Sequence, residues 1–432
     1  MILWIVEVGE PVPELDGPAR PFRCAMLTQE ATNAGHDVVR WTSSFSHYER
    51  RMRPTREECR SYGDRLQVRL LYGPGYAVSR SPWRLWHHRI EASSFFRQAR
   101  ELSPPDLIFC VLPTPQLCRA AAAYGRAAGV PVVIDIQDVW PLSYLKLFPV
   151  AWRPRLNFLL AWEYHKLRGC LRPSVGITAI SNTFLDWALG HARRPAGPAD
   201  GVFPIGYPAA GDDPEEEREI RSAGVALKER LGLKEGEFVV AFVGTLVSSY
   251  DFTTVLAAAQ HLERVGKPVR FVFAGSGGHL AEIQRLAASL KSVTLLGWLG
   301  EQHELKALLQ LADAGLAPYR RGCTMSLPNK PFEYMAAGLP QISSLAGEMA
   351  AIIDRERIGL NYVPDDSRDL CRCVLRLMDN HGERRQQGEN ARGLFLREYS
   401  SSVIYPKLVR HLASVAGSAG ARARRSAPGR HS

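Results

Sequence analysis

Apolar and polar positions along this chain alternate between two rhythms. Short apolar runs, several of them nearly continuous, are separated by stretches whose apolar residues recur at helical spacing. In the first half the runs Ile2–Val8, Asp37–Thr42, Leu66–Leu71, Asp106–Leu112, Val132–Asp138 and Val175–Ser181 predict strands. In the second half the strands fall at Phe238–Thr245, Val269–Ala274, Val293–Leu299, Gly315–Tyr319, Gln341–Leu345 and Leu360–Val363. Helices are predicted between them at Phe252–Val265, His279–Leu290 and Glu301–Ala312, with closing helices at 367–380 and 383–413. Strands without polar alternation are buried on both faces, the habit of parallel sheets. Repeated strand–helix units imply such sheets with right-handed crossovers.

The rhythm breaks once, over 192–219, where a Pro- and Gly-rich stretch leads into the acidic run Asp212–Glu217. At 432 residues the chain is too long for one core. The expected architecture is α/β, with two doubly wound, Rossmann-like domains. The N-terminal domain spans 1–200, a linker 201–224, the second domain 225–390, a closing helix 391–415 and a disordered basic tail 416–432. Ligands of such sheets bind at the carboxyl ends of the strands. A central cleft faced by both domains is therefore the expected active site.

Composition narrows the partners more than the fold. Hydrophobic content of 46% and charged content of 23% are those of an ordinary soluble protein. No apolar run reaches the roughly 18 residues that span a bilayer. The start, Met1–Glu7, lacks the basic region of a signal peptide and reads as a buried strand, so a cytoplasmic location is expected. The eight cysteines show no CxxC or zinc spacing and read as reduced thiols. Net charge is +10, and +6 without the four arginines of the tail. That excess favours an anionic partner: a phosphorylated ligand, an acidic membrane surface or nucleic acid. No nucleic-acid-binding signature is present, so nucleic acid is not expected.

The most informative stretch is Ser326–Pro340, SLPNKPFEYMAAGLP. It places Lys330 and Glu333 three residues apart at the start of a short helix after a strand and loop. The first helical turn offers unpaired N–H groups and the positive end of the dipole to phosphate. Lys330 adds a full charge, and Glu333, on the same face, can accept hydrogen bonds from ribose hydroxyls. A lone KxxE is more often a surface ion pair; its surroundings decide here. Three strands of this half end in glycine-bearing turns: Gly244-Thr245-Leu246, Gly275-Ser276-Gly277-Gly278 and Gly297-Trp298-Leu299-Gly300. Glycines let backbone approach a ligand. No GxxxxGK[ST] loop is present, which leaves triphosphate hydrolysis without support.

These elements resemble the donor domain of glycosyltransferase family 4, with the GT-B fold. The matching segments are FVGTL (242–246), FAGSG (273–277), VTLLGWL (293–299), DAGLAPY (313–319) and PNKPFEYMAAGLP (328–340). GHDV (35–38), TSSFSH (42–47) and DIQDVWP (135–141) in the first half are similar to the subgroup that builds bacterial O-antigen, capsule and exopolysaccharide, including N-acetylfucosamine transferases. The resemblance implies a retaining transferase that uses a nucleotide-diphosphate sugar and needs no metal or other cofactor. It implies that Glu333 holds the donor ribose and Lys330 neutralises the diphosphate. Gly244 and Thr245 would approach the phosphates, with Gly275 and Ser276 on the same rim and Trp298 and Leu299 near the base. Two departures stand out. Met325 occupies a position where many relatives carry an acid that contacts the donor sugar, so loop amides around Thr324–Leu327, those of Met325, Ser326 and Leu327 among them, would take that part. Residues 247–251 lack the cations that many relatives carry, so either Lys330 bears more of the phosphate charge or Arg320 and Arg321 help.

On the acceptor side, Asp138 ends an apolar strand and is the candidate base for an acceptor hydroxyl; a capping aspartate is the alternative. His47 is a second candidate to face the cleft, and Arg20 a candidate phosphate anchor. Residues 83–89 and 151–160 interleave aromatics with cations. They suit either an anionic membrane interface, holding the enzyme at the inner face near a lipid-linked or glycan acceptor, or core helices with a basic outer face. The competing functions are a sugar-nucleotide epimerase on a similar fold and a non-catalytic sugar-nucleotide-binding scaffold.

Overall fold

The structure, a computed structural model, describes residues 1–17, 22–47, 49–53, 59–78, 81–145, 152, 155, 158, 160–209 and 214–426. Two compact units divide the chain. One comprises Met1–Pro204 with Ile404–Ser432, the other Ile205–Val403.

The first unit contains β1 (Ile2–Val6), β2 (Asp37–Ser43), β3 (Phe45–Ser46), β4 (Arg51–Met52), β5 (Cys59–Tyr62), β6 (Leu66–Leu71), β7 (Leu107–Leu112), β8 (Val132–Ile136), β9 (Gly176–Ala179) and β10 (Gly201–Val202). Eight of these form one sheet in the order β10-β9-β8-β7-β1-β2-β6-β5. Every pairing in it is parallel except β5 with β6, where the chain turns back at once. β3 and β4 make a separate antiparallel pair. Every residue of β7 and β8 is buried, as expected of strands covered on both faces.

Alternation along β1 sends its side chains to two different layers. Trp4 packs on Trp41 and Tyr124 with ring centroids 5.1 and 5.4 Å apart. Leu3 and Ile5 join a core with Tyr405, Leu408 and Leu412 of the helix Ser401–Ser426. The carboxyl-terminal helix thus completes the core of the first unit. This differs from the expected closing helix at 391–415. The helix His381–Leu394 runs into a π-turn at Phe395–Tyr399, and Ser400 is extended. A new helix then starts at Ser401.

Two further expectations change. Residues 201–224 are not a single linker: Gly201–Val202 extend the first sheet beside β9, and Pro214–Leu231 form a helix that buries Ile220, Leu227 and Leu231 in the second core. The tail expected to be disordered over 416–432 is helical as far as Ser426.

The second unit has β11 (Phe238–Val243), β12 (Val269–Ala274), β13 (Val293–Gly297), β14 (Ala314–Ala317), β15 (Gln341–Ser343) and β16 (Gly359–Asn361). All pair in parallel, in the order β13-β12-β11-β14-β15-β16. Phe242, Phe252 and Phe273 meet edge-on or tilted in its core, with centroids 5.2–6.0 Å apart. Strand order reverses between β11 and β14. That switch point is where an open α/β sheet holds its ligand.

Candidate active site

Both sequence-predicted key residues lie at this switch point. The helix Asn329–Ala336 follows β14, with Pro328 as its N-cap. Pro331 lacks an N–H, but it sits in the first turn, where none is needed. Three contacts fix the helix. Tyr334 donates to the carbonyl of Leu316 at 2.8 Å, and its ring fills the space above Gly315. Gln341 donates to the carbonyl of Pro331 at 3.2 Å. Phe332 packs on Tyr399 with centroids 4.9 Å apart.

Lys330 is buried, 7% exposed, and its Nζ donates to the carbonyl of Val243, the last residue of β11. The same Nζ lies 4.4 Å from the ring centroid of Phe242 and 4.9 Å from that of Tyr250. Both rings offer their π-faces to the cation. Burial pushes the Tyr250 phenol well above its ordinary pKa, so it stays neutral.

The backbone around this ammonium has no room for side chains. Gly244 has φ +123°, and a β-carbon there would stand 2.1 Å from Lys330 Nζ. Gly275 has φ +153°, and a β-carbon there would meet the Gly244 carbonyl at 1.9 Å. Two neighbouring strand ends are therefore bare main chain beside a buried cation. Thr245 and Ser276 are exposed on the same turns. Glu333, one helical turn after Lys330, is buried, 6% exposed.

A carboxylate that sequence reasoning missed meets the loop before the helix. Met325 packs partly into the core, and the hydroxyl of the buried Ser326 donates to Glu348 Oε2 at 3.1 Å. Glu348 is the first residue of the helix Glu348–Glu356, beyond β15. An acid thus reaches the Met325 loop from a different element. Leu327 is core. Thr324 Oγ1 and Asn329 Oδ1 are buried here without a hydrogen-bond partner among the described residues.

The proposed helper cations are largely engaged. Arg321 pairs with Asp365 at 2.9 Å and donates to the Pro364 carbonyl. Arg320 donates through Nε to the Tyr250 carbonyl at 3.0 Å. Trp298, 66% exposed, and Leu299 follow the edge strand β13, two strands from β11.

In the first unit, Asp138 follows β8, half-buried, and its Oδ1 accepts from the N–H of Val139 at 2.8 Å. His47 Nδ1 lies 2.5 Å from the Tyr76 hydroxyl. Burial, with Arg84 and Arg50 close by, pushes its pKa down to about 4 and leaves it neutral. Arg20 lies outside the described residues.

Sequence reasoning also missed two buried polar networks. Asp135, in the middle of β8, is fully buried. It takes two hydrogen bonds from Arg23, at 2.9 and 3.0 Å, one from Thr178 at 2.6 Å and one from Gln137 at 3.1 Å. Arg23 also donates to the carbonyls of Phe203 and Pro204, where the first unit ends. An acid inside a run buried on both faces was the available signal, since it must have a partner.

The second network joins His87, His88 and Glu91, three residues with ligand-like atoms within 4.8 Å of one another. Their hydrogen bonds argue against a metal. His87 Nδ1 accepts from the N–H of Gly75 at 3.1 Å, so its Nε2–H faces Glu91 at 3.0 Å. His88 Nε2 accepts from Arg84 at 3.1 Å, so its Nδ1–H donates to Glu91 at 2.9 Å. All four ring nitrogens of the two histidines already face a partner. Burial opposes the Glu91 charge, but the two histidine hydrogen bonds outweigh it and pull the pKa down to about 2.

Residues 237–380 match the family model described as Glycosyl transferases group 1, from β11 through the helix Ser367–Asp379. An alpha-D-kanosaminyltransferase of Streptomyces kanamyceticus is 26% identical over 298 residues, covering 67% of this chain and 73% of that protein. HepE from Anabaena, solved in complex with UDP, superposes with a TM-score of 0.63 at 15% identity, covering 96% of this chain and 99% of that one. Sucrose-phosphate synthase from Thermosynechococcus elongatus gives 0.69 at 15% identity, over 96% and 99%. The solved structures are similar in fold, and that fold, two doubly wound units in series, is GT-B. The match of the second unit to the group 1 model, together with the aminosugar transferase relative, supports a glycosyltransferase.

Among the described residues, no helix is long and apolar enough to cross a membrane.

Proposed function

We propose that the protein moves a sugar from a UDP-linked donor, a hexose or aminohexose, to a glycan or lipid-linked acceptor of cell-surface polysaccharide. We propose further that it retains anomeric configuration and uses no metal. The observation that carries this reading is the Lys330 ammonium beside the bare backbone of Gly244 and Gly275 at the switch point. A diphosphate there would meet a cation, a helix N-terminus and main-chain N–H groups. UDP in HepE, UDP-glucose in a second structure of it and the aminosugar in the relative's name support the donor class.

As the glycosidic bond breaks, negative charge grows on the leaving diphosphate. Lys330 and the first turn of Asn329–Ala336 would stabilise it without a divalent ion, because their dipoles and charge are already in place. Glu333 would accept from the ribose hydroxyls. Glu348, through Ser326, would stand in for the acid that Met325 lacks. Asp138 would orient or deprotonate the acceptor hydroxyl.

The test is a thermal-shift panel of UDP, GDP, ADP and TDP with EDTA, followed by turnover with UDP-sugars. A shift by UDP alone, and UDP release that requires an acceptor, are expected. No shift with any nucleotide would favour the scaffold. Conversion of the donor without an acceptor would favour an epimerase.

A further inference from the structure

The inward face of the helix Pro82–Ala99 buries the polar His87, His88, Glu91, Ser94 and Gln98 beside Ala92, Phe95 and Ala99, while Trp83 and Trp86 are 69% and 51% exposed. Large apolar side chains on the solvent side are the reverse of the usual amphipathic pattern. The inward acid faces both histidines, at 3.0 and 2.9 Å. The outward tryptophans stay exposed.

Trp86 lines a groove of about 1010 Å³ on the outer side of this helix, shared with Pro115–Ala128 and Ala161–Leu171. Its cations are Arg89, Arg97, Arg100, Arg119 and Lys166, against the single acid Glu101. Its aromatics are Trp86, Phe96 and Trp162, the last 65% exposed. Lys166 lies 5.7 Å from the Trp162 ring centroid and is paired with Glu163. Arg100 lies 5.9 Å from the Phe96 ring centroid. In the chain just before Ala161–Leu171, Trp152 and Phe158 are 63% and 81% exposed.

We propose that this groove docks the protein on an anionic phospholipid surface. Its arginines would take lipid phosphates while Trp86 and Trp162 sit at headgroup depth. Charge complementarity gives the sign of the partner. The aromatics select lipid among anionic partners, because indole rings with one apolar and one polar edge prefer the bilayer interface. A basic patch meant for phosphate alone needs no exposed Trp83, Trp152 or Phe158 around it. The inference is independent of the donor-site reading, since no residue of the second unit takes part.

The test is flotation of the full chain with phosphatidylcholine vesicles, with and without phosphatidylglycerol. Binding only to the anionic vesicles is expected, released at about 1 M salt, where the screening length is about 3 Å. The variant Arg97→Ser/Arg100→Ser/Arg119→Ser should lose roughly a hundredfold in partitioning, at about a factor of five per cation. Trp86→Ser/Trp162→Ser should bind less and lose the blue shift of tryptophan emission on vesicles. Thermal midpoints equal to that of the parent certify folding. Arg221→Ser/Arg285→Ser, two exposed arginines of the other unit, is the control and should bind as the parent does. Equal binding to both vesicle types, no binding to either, or equal losses for groove and control variants would each overturn the proposal. So would retention of an RNA oligonucleotide, or self-association, through the same residues without vesicle binding.

Discussion

The ammonium of Lys330 stands 2.1 Å from the point a β-carbon on Gly244 would occupy. The two residues are 86 positions apart, yet each dictates the other. Lysine can reach the end of β11 because position 244 has no side chain. Position 244 must be glycine also because its φ of +123° strains any other residue. Lys330→Met keeps the stem against Phe242 and Tyr250 but removes the charge. It should weaken UDP about ten- to a hundredfold, the worth of one charge-assisted hydrogen bond. Gly244→Ala should do the same by displacing the ammonium. Calorimetry with UDP and with uridine checks both variants. Equal losses for nucleotide and nucleoside would remove Lys330 from the phosphates.

Glu333 is expected to act on the sugar of the nucleotide and not on its phosphates. Glu333→Gln keeps the shape and turns a charged acceptor into a neutral one. The donor KM should rise about tenfold. The parent's preference for UDP over 2′-deoxy-UDP should shrink. A variant that preserves the full preference would place the ribose elsewhere.

Asp138 belongs to the first unit, and its effect should separate from that of the donor residues. Asp138→Asn retains the hydrogen bond from Val139 and loses the base. A drop in kcat of about 10²–10⁴ with UDP affinity unchanged is expected. Loss of UDP affinity instead would make Asp138 a donor residue.

The donor half was legible because its chemistry is local. Lys330 and Glu333 share one helix, and the glycine turns follow strands whose apolar runs are unmistakable. What escaped notice depends on contacts distant in sequence. Glu348 reaches Ser326 across 22 residues, and Arg23 reaches Asp135 across 112. The closing helix expected at 391–415 carries no sign of which unit it completes, for the same reason. Its apolar stripe shows that it is buried, but not that Tyr405, Leu408 and Leu412 are buried against Leu3 and Ile5. β5, β3 and β4 are short and partly polar, so no periodicity announces them.

The Arg23–Asp135 pair fixes the end of the first unit and should be costly to break. Asp135→Leu leaves a buried guanidinium without its anion, a loss of about 3–5 kcal/mol. The double variant Arg23→Met/Asp135→Leu should recover much of that, since two apolar groups can replace a buried pair. Denaturant unfolding of both variants measures it. A double variant as unstable as the single one would mean that the Phe203 and Pro204 carbonyls, not Asp135, are what Arg23 chiefly serves.

A last prediction concerns pH. Glu10 follows β1 and is buried beside Glu7, Arg40 and Arg23; its Oε2 accepts from the N–H of Cys24 at 2.8 Å. Burial, and then the Glu7 carboxylate, push its pKa up from 4.5 to about 8 against the pull of Arg40. Glu7 is raised as well, again by burial. A carboxyl whose folded pKa exceeds its unfolded one binds its proton more tightly when folded. The stability it contributes is complete below pH 4.5 and is lost as pH rises towards about 8. Glu10→Gln keeps an acceptor for Cys24 and cannot ionise. It should melt as the parent does near pH 5 and above it near pH 8. Expression of even a tenfold difference in proton affinity makes the gain about 1.4 kcal/mol, or about 3–6 °C for a domain of this size. Glu7 leaves a residual slope in the variant. Scanning calorimetry across pH 5–8 reads the difference, and a parent–variant gap that stays constant with pH would show that Glu10 does not change its proton affinity on folding.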